Sequence, residues 1–403
     1  MPAVIKNTYT PALEGGSPVR DSFLPFSPPD ITGKEINAVT RVLRSGWITR
    51  GPECRSFETM LAQYTGSAHA VVLNSATAGL FLTLKSLGIK QGDQVITTPY
   101  TFAATANVIL HTGAQPVFAD IQPPAFSIDP EQIEEKITKK TRAVLPVHFG
   151  GHPAPIDRIN EIAASYGLHV VEDAAHALGA EYRGKKIGNG ENPSVLSFHA
   201  VKNLTTAEGG AVMCNNPEVV RYVELHSLHG QTKDAYMKAQ AGGWKYDIAA
   251  PGYKFNMTDI QAALGIEQLH RLEQNQNKRK HIAGSYTECL KKYDFVRTPA
   301  VSSDVVSSWH LYPVVIDFSR LKITRDGFIA ALAKENISSN VHYIPVHMMS
   351  YYRDAFGYTP EDFPVSYTTY TNELSLPLYP QMNSKDTGDV LKALAKLFNY
   401  YKK

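Results

Sequence analysis

The stretch SVLSFHAVKNLTTAEGGAVMCN, residues Ser194–Asn215, sets two apolar runs around a single lysine. SVLSFH reads as a buried strand and GAVMCN as another. Between them the chain stops at Lys202, then runs through Thr, Ala and Glu to two glycines. A lysine in such a turn is ordinarily a solvated loop residue. The other reading is chemical. An amine held at a strand end forms imines with carbonyls when its surroundings lower its pKa.

Working outward, five β-rich runs precede it: AVVL (Ala70–Leu73), QVITTP (Gln94–Pro99), QPVFADI (Gln115–Ile121), RAVLPVH (Arg142–His148) and LHVVED (Leu168–Asp173). Helical patterns at Thr77–Leu87, Ala103–Thr112, Pro130–Ile137 and Ala154–Tyr166 lie between many of them. Apolar runs bounded by turns and separated by helices predict βαβ units, hence an α/β fold with a largely parallel sheet. Asp259–Lys278 carries a helical period through Ile260, Ala263, Leu264, Ile266 and Leu269 and leads out of this large domain. A smaller α/β set follows: WHLYPVVIDF as a strand, DGFIAALAKEN as a helix, SSNVHYIPV as a strand and DTGDVLKALAKLFNYY as the terminal helix. Pro2, Pro11, Gly15, Gly16 and Pro18 mark an irregular arm. The expected division is an arm over 1–24, a large domain over 25–265 and a small domain over 266–403.

The bulk numbers exclude several classes. With 403 residues the chain is long enough for two domains. Its formal net charge is +2, and QNKRKH near Arg279 is a short basic run, so no nucleic-acid partner is expected. Three widely spaced cysteines, Cys54, Cys214 and Cys289, form no CxxC pair, so neither a metal site nor a disulfide framework is expected. That usage suits a reducing cytoplasm. No apolar run reaches the length of a membrane span, and the N-terminus has no apolar core of the kind that signals secretion.

In an open α/β sheet, ligands sit beyond the carboxyl ends of the strands. After AVVL comes Asn74-Ser75-Ala76-Thr77-Ala78-Gly79 and an amphipathic helix. Ser75 or Thr77 can cap that helix, and its first N–H groups can hold an anion; a plain cap is the competing reading. After QVITTP comes Phe102, which could stack on a flat ring or be an ordinary core aromatic. After LHVV come Asp173 and His176. A carboxylate there is costly unless it meets a cation or donors. It is either a helix cap or the partner of a protonated pyridine nitrogen, and His176 is either structural or a contact to ring substituents. Taken with Lys202, these describe a pyridoxal phosphate (PLP) site: phosphate cup, stacking ring, pyridinium partner and imine-forming amine.

Four motifs in order then bring a family into view. SGWITRGP, VVEDAAHALGAEYRGKKIG, SFHAVKNLTTAEGG and PGYKFNMTDIQAALG resemble the DegT/StrS sugar aminotransferases, over about Phe23–Phe398. The resemblance implies the fold type I, aspartate aminotransferase-like architecture, working as a homodimer with shared active sites. It makes Lys202 the Schiff-base lysine, Asp173 the partner of the pyridinium nitrogen and His176 a neighbour of the ring. Thr77, Ala78 and Ser197 would bind the phosphate and Phe102 would stack on the ring. Lys254, in PGYKFN, would reach the neighbouring subunit's phosphate. The closest subgroup implies L-glutamate as donor and a keto sugar, nucleotide-linked and most often 4-keto, as acceptor. Trp47, Thr49, Arg50, His342 and Tyr343 are the candidates to line the substrate pocket, the last two against an ordinary strand pair as the alternative. Rival readings are a sugar dehydratase of the same family, which would carry His where Lys202 stands, and a non-catalytic regulatory homologue.

Overall fold

The computed structural model describes residues 9–123, 126–237 and 244–403. The chain forms two units. The larger runs from Pro29 to Asn275 and takes in Val301–Ser308; the smaller combines the segment ending at Pro28 with Gln276–Ala300 and Trp309–Lys403.

Eight short strands build the larger unit's sheet: β1 His69–Leu73, β2 Gln94–Thr97, β3 Gln115–Phe118, β4 Thr141–Leu145, β5 His169–Val170, β6 Glu172–Asp173, β7 Ser194–Ser197 and β8 Gly210–Cys214. They pair in the orders β3-β2-β4-β5 and β1-β8-β7-β6. β5 and β6 are halves of one extended stretch. The Val147–Asp173 bridge and the bond from Val171 N–H to the Val144 carbonyl (3.0 Å) join the two sets of strands. The pairings are parallel except those of β8, which runs antiparallel to both β1 and β7. This is the mostly parallel α/β sheet that the alternating runs predicted.

Helices pack along this unit: α1 Gly33–Ser45, α2 Pro52–Thr65, α3 Ala76–Ser86, α4 Ala103–His111, α5 Pro130–Glu135, α6 Ile156–Tyr166, α7 Pro217–Ser227 and α8 Asp259–His270. Val71, Leu73, Leu80, Leu84, Val195 and Val212 fill one core cluster, in which a Cβ on Gly79 would come within 2.7 Å of Val195 Cγ1. Phe57, Leu61, Phe198, Met213 and Met257 fill another. Burial of these side chains, at about 25 cal/mol per Å² of apolar surface, is what holds helix to sheet.

In the smaller unit, β9 Val296–Arg297, β10 Tyr312–Ile316 and β11 Glu373–Leu376 form an antiparallel sheet in the order β9-β10-β11. α9 Leu272–Leu290 from Gln276 onward, α10 Arg325–Lys334 and α11 Ser384–Tyr401 accompany it. Phe328, Phe398, Ile337 and Leu376 are central to its core. The arm is not a separate body. Leu24 is buried in this core and bridges to Ile337. SSNVHYIPV also differs from its expected strand. Asn340 bridges to Ser375, but the next turn of the ladder fails because the His342 N–H goes to the Glu373 carboxylate at 2.9 Å. Among the described residues no helix is long and apolar enough to cross a membrane.

Candidate active site

Register places the key groups at one end of the sheet. Leu73, Gly210 and Ser197 are aligned across β1, β8 and β7, and Val195 on β7 lies opposite Asp173 on β6. The α3 start, the lysine turn and Asp173 therefore follow neighbouring strand ends.

Asp173 is buried. Its Oδ2 accepts the Thr105 hydroxyl at 2.7 Å and its Oδ1 accepts the Ala175 N–H at 3.1 Å. Burial pushes its pKa up, against those two donors and the charge of Lys202. Thr105 in turn meets Thr101 at 2.8 Å, one turn away in the chain. Lys202 answers Asp173 in charge. Desolvation pulls its amine down to about 8, while the Asp173 carboxylate acts the other way. Lys202 lies in the turn that follows β7 and Asp173 on the adjacent β6, so the two follow neighbouring strand ends, and each charge favours the other. Among the described residues the Lys202 amine makes no hydrogen bond, so its lone pair is available when neutral.

His176 is pinned as a donor. Its Nδ1 accepts the Gly150 N–H at 3.2 Å, so the neutral ring carries its proton on Nε2. Ser308 holds the His176 carbonyl at 2.7 Å. Behind Asp173, His148 is fixed in the same way. Its Nδ1 accepts the Ala154 N–H at 2.9 Å and its Nε2 faces Glu172 at 3.0 Å. Glu172 also receives Asn192 Nδ2 and Ser194 Oγ, both at 2.9 Å, so its charge is compensated while buried.

The anion cup stands at the N-terminus of α3. Ser75 caps it by accepting the Ala78 N–H at 3.1 Å, which leaves Thr77 exposed with its N–H and hydroxyl unbonded among the described residues. Gly210 lies so close that a Cβ there would stand 2.4 Å from Ala76 N. A glycine is needed for β8 to pass under this helix start. Ser197 Oγ accepts the His199 N–H at 3.4 Å beside it. Phe102 caps α4 and is 62% exposed, an aromatic face left at a strand end.

The other candidates lie in three places. Lys254 lies on a segment that runs antiparallel past the end of β1, with Asn74 N–H bonded to the Phe255 carbonyl at 2.7 Å; its amine contacts Asn256 Oδ1 at 2.7 Å. The Trp47–Arg50 loop is held by Asp259, whose carboxylate takes the N–H groups of Gly51, Glu53 and Cys54 at 2.7, 3.2 and 3.1 Å. Trp47 Nε1 bonds the Arg50 carbonyl at 3.2 Å, and Thr49 is exposed. Arg50 Nη2 is committed to Glu58 at 2.9 and 3.1 Å. His342 and Tyr343 belong to the smaller unit, where His342 bonds Ser375.

The comparisons decide the family. Residues 29–395 match the DegT/DnrJ/EryC1/StrS aminotransferase family. The chain belongs to that family. It is 46% identical to the spore coat polysaccharide biosynthesis protein SpsC of Bacillus subtilis, over 93% of this chain and 97% of SpsC. Among solved structures, the putative sugar aminotransferase Spr1654 of Streptococcus pneumoniae, in its PMP form, superposes with a TM-score of 0.87 at 37% identity, covering 94% of this chain and 99% of that one. PseC of Helicobacter pylori, an aminotransferase involved in the biosynthesis of pseudoaminic acid, gives 0.86 at 31% identity, over 94% and 100%. The fold is the fold type I architecture of these enzymes, and the family is one of PLP-dependent sugar aminotransferases.

The residues present fit that cofactor. An amine with no hydrogen bond among the described residues, a buried carboxylate and an open helix N-terminus over a required glycine stand at one end of the sheet. Reading the sequence missed Thr105, Thr101 and His148. The Thr101–Thr105 spacing of one helical turn was a signal for the first two. His148 had none, because its partner Glu172 is distant in sequence.

Proposed function

We propose that this enzyme moves an amino group from L-glutamate to a keto sugar, nucleotide-linked and most simply 4-keto, in the making of amino sugars for surface polysaccharide. What supports this reading is the position of Lys202 and Asp173 after neighbouring strands of one sheet, with each charge acting on the other. The roles of SpsC in spore coat polysaccharide biosynthesis and of PseC in pseudoaminic acid biosynthesis support the sugar class.

When bound, PLP supplies an electron sink for the carbanion formed at the amino-bearing carbon. Lys202 would be the residue that holds the cofactor's aldehyde, and its free amine would serve as the base and acid that moves the proton at the reacting carbon. Its pKa of about 8 suits both duties near neutral pH. Asp173 holds the ring nitrogen, and the Thr105 and Ala175 donors keep its oxygens aimed. His176 presents Nε2–H to a ring substituent. Thr77, Ala78 and Ser197 hold the phosphate, with Lys254 reaching it from the neighbouring subunit of a homodimer. Phe102 covers the ring face. Trp47, Thr49, Arg50, His342 and Tyr343 contact the sugar, its diphosphate or the donor carboxylate; Arg50 keeps Nε and Nη1 for that purpose. The enzyme works in the cytoplasm, where nucleotide sugars are made.

Purified enzyme should be yellow with PLP and should bleach on addition of L-glutamate as the amine form accumulates. Mass spectrometry of a panel of nucleotide-linked 3- and 4-keto sugars incubated with glutamate should show one aminated product. A colourless protein that ignores PLP would sink the proposal.

A further inference from the structure

The chain returns to the larger unit for one short stretch. Val301–Ser308 belongs to that unit, although the residues on either side of it belong to the smaller one. Val305 and Val306 pair antiparallel with Tyr182 and Glu181, and the Arg183 N–H meets the Asp304 carbonyl at 2.7 Å. The stretch ends at Ser308, which is 1% exposed. Trp309 follows with φ +48, a left-handed backbone that a tryptophan adopts only under strain. A strained residue persists where its surroundings over-determine it.

Ser308 supplies that constraint. Each of its three polar groups holds a different loop at the carboxyl end of the sheet. The N–H donates to the Gly151 carbonyl at 2.9 Å, in the loop after β4. The hydroxyl donates to the His176 carbonyl at 2.7 Å, in the turn after β6. The carbonyl accepts Asn203 Nδ2–H at 2.7 Å, in the lysine turn after β7. Ser307 Oγ gives the Gly151 carbonyl a second donor at 3.1 Å. Gly150 and Gly151 have φ +61 and +93, conformations that suit glycine. They turn the Gly150 N–H onto His176 Nδ1 at 3.2 Å and the Gly151 carbonyl onto Ser308. His176 is therefore held at its ring and at its carbonyl.

We propose that Ser308 and Asn203 are positioning residues, a clasp that fixes where the Lys202 amine stands relative to Asp173 and His176. This rests on the reading that those three residues serve the cofactor. Within the lysine turn, Phe198 N–H bonds the Gly209 carbonyl, Thr206 N–H the Phe198 carbonyl and Lys202 N–H the His199 carbonyl, each at 2.9 Å. These bonds shape the turn. The Asn203 bond leaves it, from the residue next to the lysine, and reaches a partner 105 positions later. A lysine side chain has many rotamers to lose, and an anchored backbone limits where its amine can reach. The low titration of that amine, at about 8, comes from desolvation and so depends on this placement; Asp173 is the charge that acts on it.

The test labels Lys202 in the full chain without cofactor, using formaldehyde and cyanoborohydride, which methylate the neutral amine. Peptide mass spectrometry over a pH series gives the midpoint, with the exposed Lys185 as control. The parent midpoint should lie near 8. Asn203→Leu keeps the side chain's bulk and removes its donor. Its Lys202 midpoint should rise toward the free value of about 10.4, with Lys185 unmoved. Ser308→Ala should give a smaller rise in the same direction, and should quicken amide exchange at Gly150 about tenfold while Val195 and Val212 keep their rates. Where Asn203→Leu fails to fold, Ser308→Ala decides alone. A Lys202 midpoint that neither variant moves would overturn the clasp. So would exchange quickened evenly through the sheet with the midpoint unmoved, the mark of a merely stabilising contact. The labelling uses no PLP. A chain that labels as expected yet ignores PLP sinks the aminotransferase reading alone; one that takes up PLP and bleaches with glutamate, but keeps its midpoint in both variants, sinks the clasp alone.

Discussion

Lys202 carries its chemistry in a shifted titration. A free lysine amine has a reference pKa of about 10.4; here burial lowers it to about 8. Imine formation requires the neutral amine, and the neutral fraction rises with pH. Loading of the apoenzyme with PLP, followed by absorbance in a stopped-flow instrument, should accelerate with a midpoint near pH 8 rather than above 10. Lys202→Ala should abolish both the covalent link and turnover. Thr105→Val tests the second donor. It removes the hydroxyl on Asp173 Oδ2 with little change of shape, and a bond to a charged group is worth about 1.5–3 kcal/mol. Weaker retention of PLP in equilibrium dialysis is expected, with the fold intact by circular dichroism. Lys202 and Asp173 were readable in the sequence because each ends an apolar run, where a charge needs a reason. Thr105 carried a weaker signal, the one-turn spacing to Thr101, but its role on Asp173 was hidden because that partner is 68 residues away.

At the scale of elements, caps and buried ion pairs set the geometry. α1 begins with a capping box, Thr32 and Glu35, and Glu35 also meets Arg271 at 2.5 Å and Gln268 at 2.9 Å. Burial would raise the Glu35 pKa, but the bonds from Thr32 and Arg271 outweigh it and bring the group down to about 2 from 4.5. A depressed carboxyl stabilises the fold above its unfolded pKa and loses that contribution as pH falls through the folded value. Glu35→Gln should therefore cost stability at pH 7 in urea unfolding, and the difference from the parent should shrink between pH 4.5 and 2. Gly51 closes the Trp47–Arg50 loop. A Cβ there would lie 2.2 Å from Trp47 Nε1, so Gly51→Ala must displace the indole. A raised KM for the sugar, with the PLP spectrum unchanged, is the expected outcome. T-G-K-E carries the pattern of a capping box, although no helix was placed there from the sequence. β11 was not legible: ELSL places a glutamate and a serine inside a core, a pattern that polarity assigns to the surface.

At the scale of the whole chain, the N-terminal segment is built into the smaller unit by Leu24, by Arg20 with Asp386 and Asp389, and by one buried carboxylate. Glu335 accepts the N–H groups of Ala12 and Val19, each at 2.8 Å, and pairs with Lys396 at 2.9 Å, with both side chains almost fully buried. Removing one partner of such a pair costs about 3–5 kcal/mol. Lys396→Met should lose stability on that order in denaturant titration, and hydrogen exchange should quicken at Ala12 and Val19. The sequence divided the chain at 24/25 and 265/266, whereas the units meet at 28/29 and 275/276. Prolines and glycines suggested a loose arm, and the bonds that tie it down come from residues more than three hundred positions later.

The antiparallel course of β8 has a further consequence. Ser197 and Gly210 stand opposite each other, and Phe198 N–H closes on the Gly209 carbonyl at 2.9 Å, so the lysine turn is a loop cinched at its neck. Such a loop borrows its rigidity from the middle of the molecule. A protease should spare it, and the amine should wait in the same place whether or not the vitamin derivative has arrived.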